Sequence, residues 1–445
     1  MKMNIPEVSQ PRVVIVGGGF GGLQLAKSLK NKDFQVVLVD KHNYHTFQPL
    51  LYQVATAGLE PDSIAFPIRK VFKHYNQFYF RMAKVERVDT ERKRLETPIG
   101  YLNYDYLVIA TGSETNYFGK QDIANESLPM KSIPEALNLR SLVLQNFEKA
   151  LTATEVGERD SLMNFVVIGG GPTGVELAGA LAELKKEVLP RDYPDLDLRR
   201  MQIHLIEAGP KLLGAMSEVS SSKSLEFLKD LGVNVYTSTM VTGIQNNVVA
   251  TDKGGAFYSH SIIWTAGVEG APIEGLKPEA IIRGKRVKVN EFNQVEGYDN
   301  IFAIGDVAAM LTTELPKGHP MLAQVALQQG KLLGENLLNL RRGKALKPFK
   351  YKDLGTMATV GRHKAVAELP WWKTQGIIAW YLWMLVHLMA LVGFRNRVVV
   401  FINWMWSYFN YDKGVRLIIR PFVRKKTVDE QPIDHLQTST SIKSA

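Results

Sequence analysis

An α/β fold, with two parallel-sheet domains followed by a helical C-terminal segment, is predicted by three features of this 445-residue sequence. The first is a buried-strand pattern that ends in a glycine loop and opens a helix: Arg12-Val-Val-Ile-Val-Gly17-Gly18-Gly19-Phe20-Gly21-Gly22, then Leu23, Leu25, Ala26 and Leu29. The second is the same pattern again, at Asn164-Phe-Val-Val-Ile-Gly169-Gly170-Gly171-Pro172-Thr173-Gly174. The third is a change of character near the end, where residues 371–426 hold nine Lys and Arg against the single acid Asp412, and six of the seven tryptophans. Strand, glycine turn and helix in immediate succession form the unit of a Rossmann-like dinucleotide-binding domain.

Composition sets the bounds within which these motifs are read. A chain that is 45% hydrophobic and 22% charged has the material for sizeable cores, so disorder is excluded for most of its length. It contains no cysteine, which removes disulfide scaffolds, thiolate zinc sites, iron–sulfur clusters and redox chemistry through a thiol pair. The net charge of +10 resides mostly in the aromatic C-terminal stretch. Its aromatics are interleaved with aliphatic runs rather than set in a polar groove, so nucleic acid is not the expected partner.

In the first loop Gly17, Gly19 and Gly22 take the three glycine positions of G-x-G-x-x-G. One permits the tight turn, one lets the backbone approach a pyrophosphate, and one lets helix pack on strand. The phosphates would then meet free N–H groups at a helix N-terminus. The next apolar strand, Val36 to Val39, delivers Asp40 where a carboxylate should accept from a ribose hydroxyl. In the second loop Gly169, Gly171 and Gly174 repeat the spacing, and the strand Met201 to Ile206 ends at Glu207. Glu207 lies beyond the usual ~20-residue spacing, an excess assigned to an inserted segment, Lys185 to Arg200. It reads either as the second ribose acid, favouring NADH by repelling a 2′-phosphate, or as a solvated strand-end acid. Further strands end in Thr111-Gly112, Ala266-Gly267 and Gly305-Asp306.

These ordered motifs, over residues 11 to about 345, resemble the two-dinucleotide-binding-domain flavoprotein family. The resemblance implies FAD in the first loop and NAD(P)H in the second, with Asp306 near the ribityl and phosphate part of the flavin. The implied FAD positions are Gly17, Gly19, Phe20, Gly21, Gly22, Asp40, Lys41, Thr111, Gly112, Gly305, Asp306, Ala323 and Gln324. Those for NADH are Gly169, Gly171, Pro172, Thr173, Gly174, Glu176, Glu207, Ala266 and Gly267.

Without cysteine, the disulfide and sulfide branches of the family are excluded. The stretch His45-Thr-Phe-Gln-Pro-Leu-Leu-Tyr52-Gln53 and the helix Ala323-Gln324-Val-Ala-Leu-Gln328-Gln-Gly330 resemble type II NADH:quinone oxidoreductases. Gln324 and Gln328 share a helix face and could donate to quinone carbonyls, although an exposed glutamine face would look the same. Glu176 reads either as a first-turn acid favoured by the helix dipole or, by the resemblance, as an orienting or electrostatic group, rather than a proton donor, at the nicotinamide–flavin contact. Gln324, Gln328 and Glu176 are the catalytic candidates. No metal site is expected: His42 and His45 lack a third ligand beside Asp40, and Asp192, Asp195 and Asp197 lack the glycine and terminal glutamate of an EF-hand.

The expected layout is an FAD-binding domain in two parts, 1–120 and 281–350, a helical connection over 121–160 and an NADH-binding domain over 161–280. A membrane-associating region, 351–426, and a disordered tail, 427–445, follow. Gly376 to Phe394, with His387 as its one ionisable residue, would reach about 28 Å as a single helix. A lone crossing would export a basic stretch against the positive-inside tendency. A segment lying in one leaflet is therefore the preferred reading, over one true span or a buried dimer helix. The N-terminus lacks an export signal, which places the expected site at the cytoplasmic face of the inner (cell) membrane. The expected activity is hydride transfer from NADH to FAD and then to a membrane quinone, without proton pumping. Lipid surface, quinone and a second copy of the chain are the expected partners. The alternatives are a flavin reductase of a soluble electron-transfer protein and a non-enzymatic FAD/NADH redox sensor.

Overall fold

The computed structural model describes residues 1–410 together with 414, 416–418 and 422, so the expected tail over 427–445 lies outside the described residues. Two five-stranded parallel sheets organise the chain, and four strands of each follow the same order. The fifth, an edge strand, comes last in the chain in one sheet and first in the other. In the first, Arg12–Val16 is central, with Gln35–Asp40 and then Phe78–Met82 on one side and Tyr106–Ile109 and then Ile301–Ala303 on the other. In the second, Phe165–Ile168 is central, with Ile203–Ile206 and Asn234–Tyr236 on one side and Ser261–Trp264 and Leu128–Pro129 on the other. Every residue of the two central strands is buried, as expected of runs covered on both faces by helices. Each glycine loop leaves its central strand at the point where strand order reverses, which is where open parallel sheets bind ligands.

The chain passes between the sheets twice. Both passages are made just after Gly112 and Gly267, where Ser113–Thr115 and Val268–Gly270 pair antiparallel. Residues 121–160, expected to be a connection, instead belong to the second domain. Leu128–Pro129 is that sheet's edge strand, and Ile133–Thr152 is a helix closed at its start by a Ser132/Glu135 capping box. A two-residue strand leaves almost no periodicity to see in the sequence.

The C-terminal region also differs from expectation. Its first part is a three-stranded antiparallel sheet, Thr356–Gly361, Lys364–Leu369 and Trp372–Gln375, packed on the helix Pro172–Glu183. Contact is so close at Gly179 that a Cβ there would lie 1.6 Å from the Val360 carbonyl oxygen. Glu368 of this sheet also caps the helix Glu218–Asp230, accepting from the Ser217 N–H at 3.0 Å and from the Ser217 and Ser220 hydroxyls. Gly376 to Phe394 is not one helix. Ile377–Ala390 ends at a turn with Gly393 at φ +88°, and a second helix, Phe394–Asn410, begins there. None of the helices among the described residues is long and apolar enough to cross a membrane.

Candidate functional site

The two glycine loops are built alike, atom for atom. Gly17 (φ +107°) and Gly169 (φ +111°) turn the chain, and each donates its N–H to the neighbouring strand at 2.8 Å, to Val39 and Ile206 respectively. Only glycine fits at Gly22 and Gly174, where a Cβ would stand 1.9 Å from the carbonyl oxygens of Gly17 and Gly169. At Gly19 and Gly171, by contrast, an added Cβ would meet nothing within 4 Å. Each thus faces open space at the start of a helix, where a pyrophosphate has room to approach.

The acids match as well. Asp40 accepts from the Gly18 N–H at 2.5 Å and from the His42 N–H at 2.7 Å. Glu207 accepts from the Gly170 and Gly209 N–H groups, both at 2.5 Å. Each acid therefore holds the middle glycine of its own loop and the N–H two residues beyond itself. The excess sequence before Glu207 is taken up by a π-turn at Leu184–Val188, the short helix Leu189–Asp192 and the loop that follows, none of which moves the strand end. We expect Glu207→Gln to weaken NADH and to narrow its preference over NADPH, read as the ratio of kcat/KM for the two. Unchanged ratios would assign selectivity elsewhere.

Around the first loop the structure gathers residues from distant parts of the chain. Phe20 opens the helix and packs edge-on to His45, with ring centroids 5.0 Å apart. Gly21 lies against Ile304, and the exposed Lys41 follows Asp40. The Thr111 hydroxyl is buried without a partner, and Gly112 turns at φ +73°. Gly305 gives its N–H to the Gln329 side chain at 2.7 Å, and Asp306 accepts from the Ser113 hydroxyl at 2.6 Å with Lys131 at 3.8 Å. Burial of Lys131 lowers its pKa, while Asp306 and Glu135 oppose the shift. His45 bonds the Gly18 carbonyl through Nδ1 at 2.9 Å, leaving a buried Nε2 without a partner. Burial lowers its pKa to about 4, so it is neutral at pH 7. Open space at Gly19 and two orphaned buried polar atoms beside it, on Thr111 and His45, suit a dinucleotide. Of these residues Ser113, Lys131 and Gln329 were not singled out in the sequence, since no local motif marks them, whereas His45 opens the stretch already noted.

At the second loop Pro172 and Thr173 are exposed, and Ala266 and Gly267 close the neighbouring strand end. The structure corrects the first of the two readings made of Glu176. It lies beyond the first turn of the helix Pro172–Glu183, so the dipole does not explain it. It is also buried, with the Thr359 N–H at 3.4 Å as its one backbone donor and the otherwise unpartnered Trp383 indole N–H facing it. Burial outweighs both and pushes its pKa up to about 8, so at pH 7 it is mainly a neutral acid rather than an electrostatic anion.

Gln324 and Gln328 lie on one helix face as expected, at Ala323–Arg341, but their amides are engaged. Gln324 bonds Gly355 O and Leu354 N, and Gln328 bonds Lys352 O and Lys352 N, at 2.8–3.1 Å. They clamp the segment leading into the C-terminal sheet. Ala323, beside Gln324, opens that helix. Glu176 instead lines a cavity of about 370 Å³ with Tyr52, Gln53, Ala180, Trp383, Met384 and Trp404, in which neither glutamine takes part. Glu183, Lys186, Glu187, Asp230 and Lys364 also line it.

Comparison with known proteins agrees with this geometry. Residues 11–330 match the family described as pyridine nucleotide-disulphide oxidoreductase, and residues 354–410 match the NDH2 C-terminal domain. The chain is 34% identical over 418 residues to a type II NADH:quinone oxidoreductase of Mycobacterium tuberculosis, covering 91% of this chain and 89% of that one. It is 33% identical over 389 residues to one of Haemophilus influenzae, covering 80% and 86%. Its fold is shared with NDH2 from Plasmodium falciparum, solved in complex with NADH, at a TM-score of 0.85 and 22% identity over 92% of this chain and all of that one.

Proposed function

The chain belongs to the type II NADH:quinone oxidoreductases of the pyridine nucleotide-disulphide oxidoreductase family, and on that premise we propose that it oxidises NADH and reduces a membrane quinone without proton pumping. The observation that carries this reading is the pair of equivalent glycine cradles, each with its own strand-end acid, in a chain without a thiol. We assign FAD to the first cradle, held by Gly17 to Gly22, Asp40, Thr111 and Asp306. NADH is assigned to the second, held by Gly169 to Gly174 and Glu207. When bound, FAD supplies the two-electron exchange between NADH and quinone. The protein's own part is to orient both partners, to exclude water and to supply a proton. NADH brings one proton with its two electrons, whereas a quinol needs two. Glu176, neutral at pH 7 and lining the cavity, is the candidate source of the second. In the anaerobic flavin spectrum, NADH should bleach the yellow form and quinone should restore it. Bleaching without restoration would point to another acceptor.

The same reading places the protein on a lipid surface, as a homodimer at the cytoplasmic face. For the lipid surface the support is the outer face of the second C-terminal helix, where Phe394, Phe401, Ile402, Met405, Trp406 and Phe409 are exposed while Asn396 and Val400 are buried. Singly exposed apolar residues are ordinary, but a continuous face of this kind marks a binding surface. Shortening the chain at Leu369 would be a poor test, since it removes the strand Trp372–Gln375 and the Trp383 cover of Glu176. Replacing Phe401, Met405 and Trp406 with serine leaves the buried face intact. That variant should keep FAD and NADH–ferricyanide activity but lose flotation with anionic liposomes. Undiminished flotation would remove these helices from the lipid contact.

A further inference from the structure

We propose that Tyr52 is a catalytic residue whose phenolic O–H is the fixed hydrogen-bond donor to the quinone oxygen undergoing reduction, in the cavity beside Glu176. The proposal rests on the quinone-reductase reading above and adds to it where the quinone head sits and what holds it. A cavity of about 370 Å³ falls within the range of small-molecule sites.

The direction of two successive hydrogen bonds, and the hydrogen they leave over, carries the argument. The Trp404 indole N–H can only donate, and it donates to Gln53 Oε1 at 2.8 Å. That fixes the amide, which cannot flip without setting one donor against another. The Gln53 amide nitrogen must therefore face Tyr52, and it donates to the phenolic oxygen at 2.9 Å. With that oxygen acting as acceptor toward Gln53, its own hydrogen must point elsewhere. Among the described residues no group accepts it, although Tyr52 is only 6% exposed. A buried hydroxyl hydrogen without an acceptor, aimed from a cavity wall, is a donor awaiting a ligand. Glu176 lines the same cavity, and the Tyr52 and Trp383 rings lie 6.5 Å apart.

A quinone carbonyl placed on the Tyr52 O–H would meet both a donor and a proton source. Two electrons and one proton originate in the hydride of NADH. The second proton leaves the Glu176 carboxyl as a quinol O–H forms, and water entering past Glu183 and Glu187 restores it. Tyr52 donates a hydrogen bond throughout and is not consumed. Gln53 and Trp404 are positioning residues, acting only through Tyr52. Because Trp404 lies on the second C-terminal helix, the element that carries the apolar outer face also sets the direction of the donor.

The test uses the FAD-loaded full chain, decylubiquinone, and ferricyanide as an acceptor that takes electrons without a proton. Tyr52→Phe should lower kcat with decylubiquinone about 100-fold, the scale of losing one preorganised donor. Anaerobic flavin reduction by NADH and turnover with ferricyanide should be unchanged. Gln53→Glu provides a second variant that keeps the phenol. Its carboxylate accepts from both Trp404 and Tyr52 and so draws the hydrogen back out of the cavity. It should reproduce the Tyr52→Phe loss, and the double variant should be no slower than Tyr52→Phe alone. Full quinone turnover by Tyr52→Phe, an equal loss with ferricyanide, or additive losses in the double variant would each overturn the proposal. A wild-type chain that accepts hydride from NADH but fails with decylubiquinone would instead overturn the quinone reading itself, and that is seen before any variant is made.

Discussion

Gly19→Val should yield a folded protein that is colourless. A Cβ at this position meets nothing within 4 Å, so the protein itself tolerates the side chain, while the space it fills is where the cofactor's pyrophosphate must approach. Circular dichroism and the thermal transition should resemble those of the FAD-free wild-type chain, and the flavin absorbance should be absent. Electron transfer from NADH to any acceptor should fall by more than about 100-fold, since the protein supplies no redox group of its own. Gly171→Val is the counterpart: a yellow protein, reducible by dithionite but hardly by NADH. The contrast with Gly22→Ala sharpens the test. There the new methyl would stand 1.9 Å from the Gly17 carbonyl oxygen, and the expected result is a misfolded domain. A yellow Gly19→Val protein would remove the first loop from the FAD site.

Glu176→Gln is the second large effect, and pH separates its two consequences. Burial holds the folded pKa at about 8, above the ordinary 4.5, so between those values the folded protein binds more protons than the unfolded chain. Stability therefore falls as pH rises through that window, by at most about 1.4 kcal/mol per pH unit from this group. His45, His204 and His387 work in the opposite sense lower down. Their folded pKa values are near 4, so their contribution is lost as pH falls from the ordinary 6.5 toward 4. The window from about 6.5 to 8 thus belongs to Glu176 among these four. In denaturant unfolding at pH 6.5 and pH 8, wild type should lose stability between the two, and Glu176→Gln should lose less. Quinone reduction should fall in wild type as pH passes about 8, where the acid ionises. The glutamine variant should be roughly 100-fold slower and without that inflection. An unaltered inflection in the variant would assign the proton to another group.

Legibility in the sequence followed the range of the physics. The Glu207 spacing is irregular, yet the strand end delivers it to the second glycine loop, because the inserted turn and helix lie before the strand and leave its register untouched. The amides of Gln324 and Gln328 were legible as a face but not as a clamp. Their partners at 352–355 have no periodicity, and nothing local brings that segment back over the helix. The helical look of Gly376 to Phe394 hid a break at Gly393, where a Cβ would lie 2.2 Å from the Phe66 ring, a contact no hydropathy pattern contains.

The sequence by itself determined the two dinucleotide cradles, their order and the absence of thiol chemistry. Those rest on glycine conformation, strand periodicity and composition, each acting within a short span of chain. Only the tertiary structure decided what the acid and the phenol in the cavity can do. Glu176 is a neutral acid because Thr359 and Trp383, from a different part of the chain, close over it and exclude water. The Tyr52 hydrogen faces the cavity because Trp404 sets the direction of Gln53. Desolvation and hydrogen-bond direction are properties of the assembled surroundings, so they exist only once those distant residues meet.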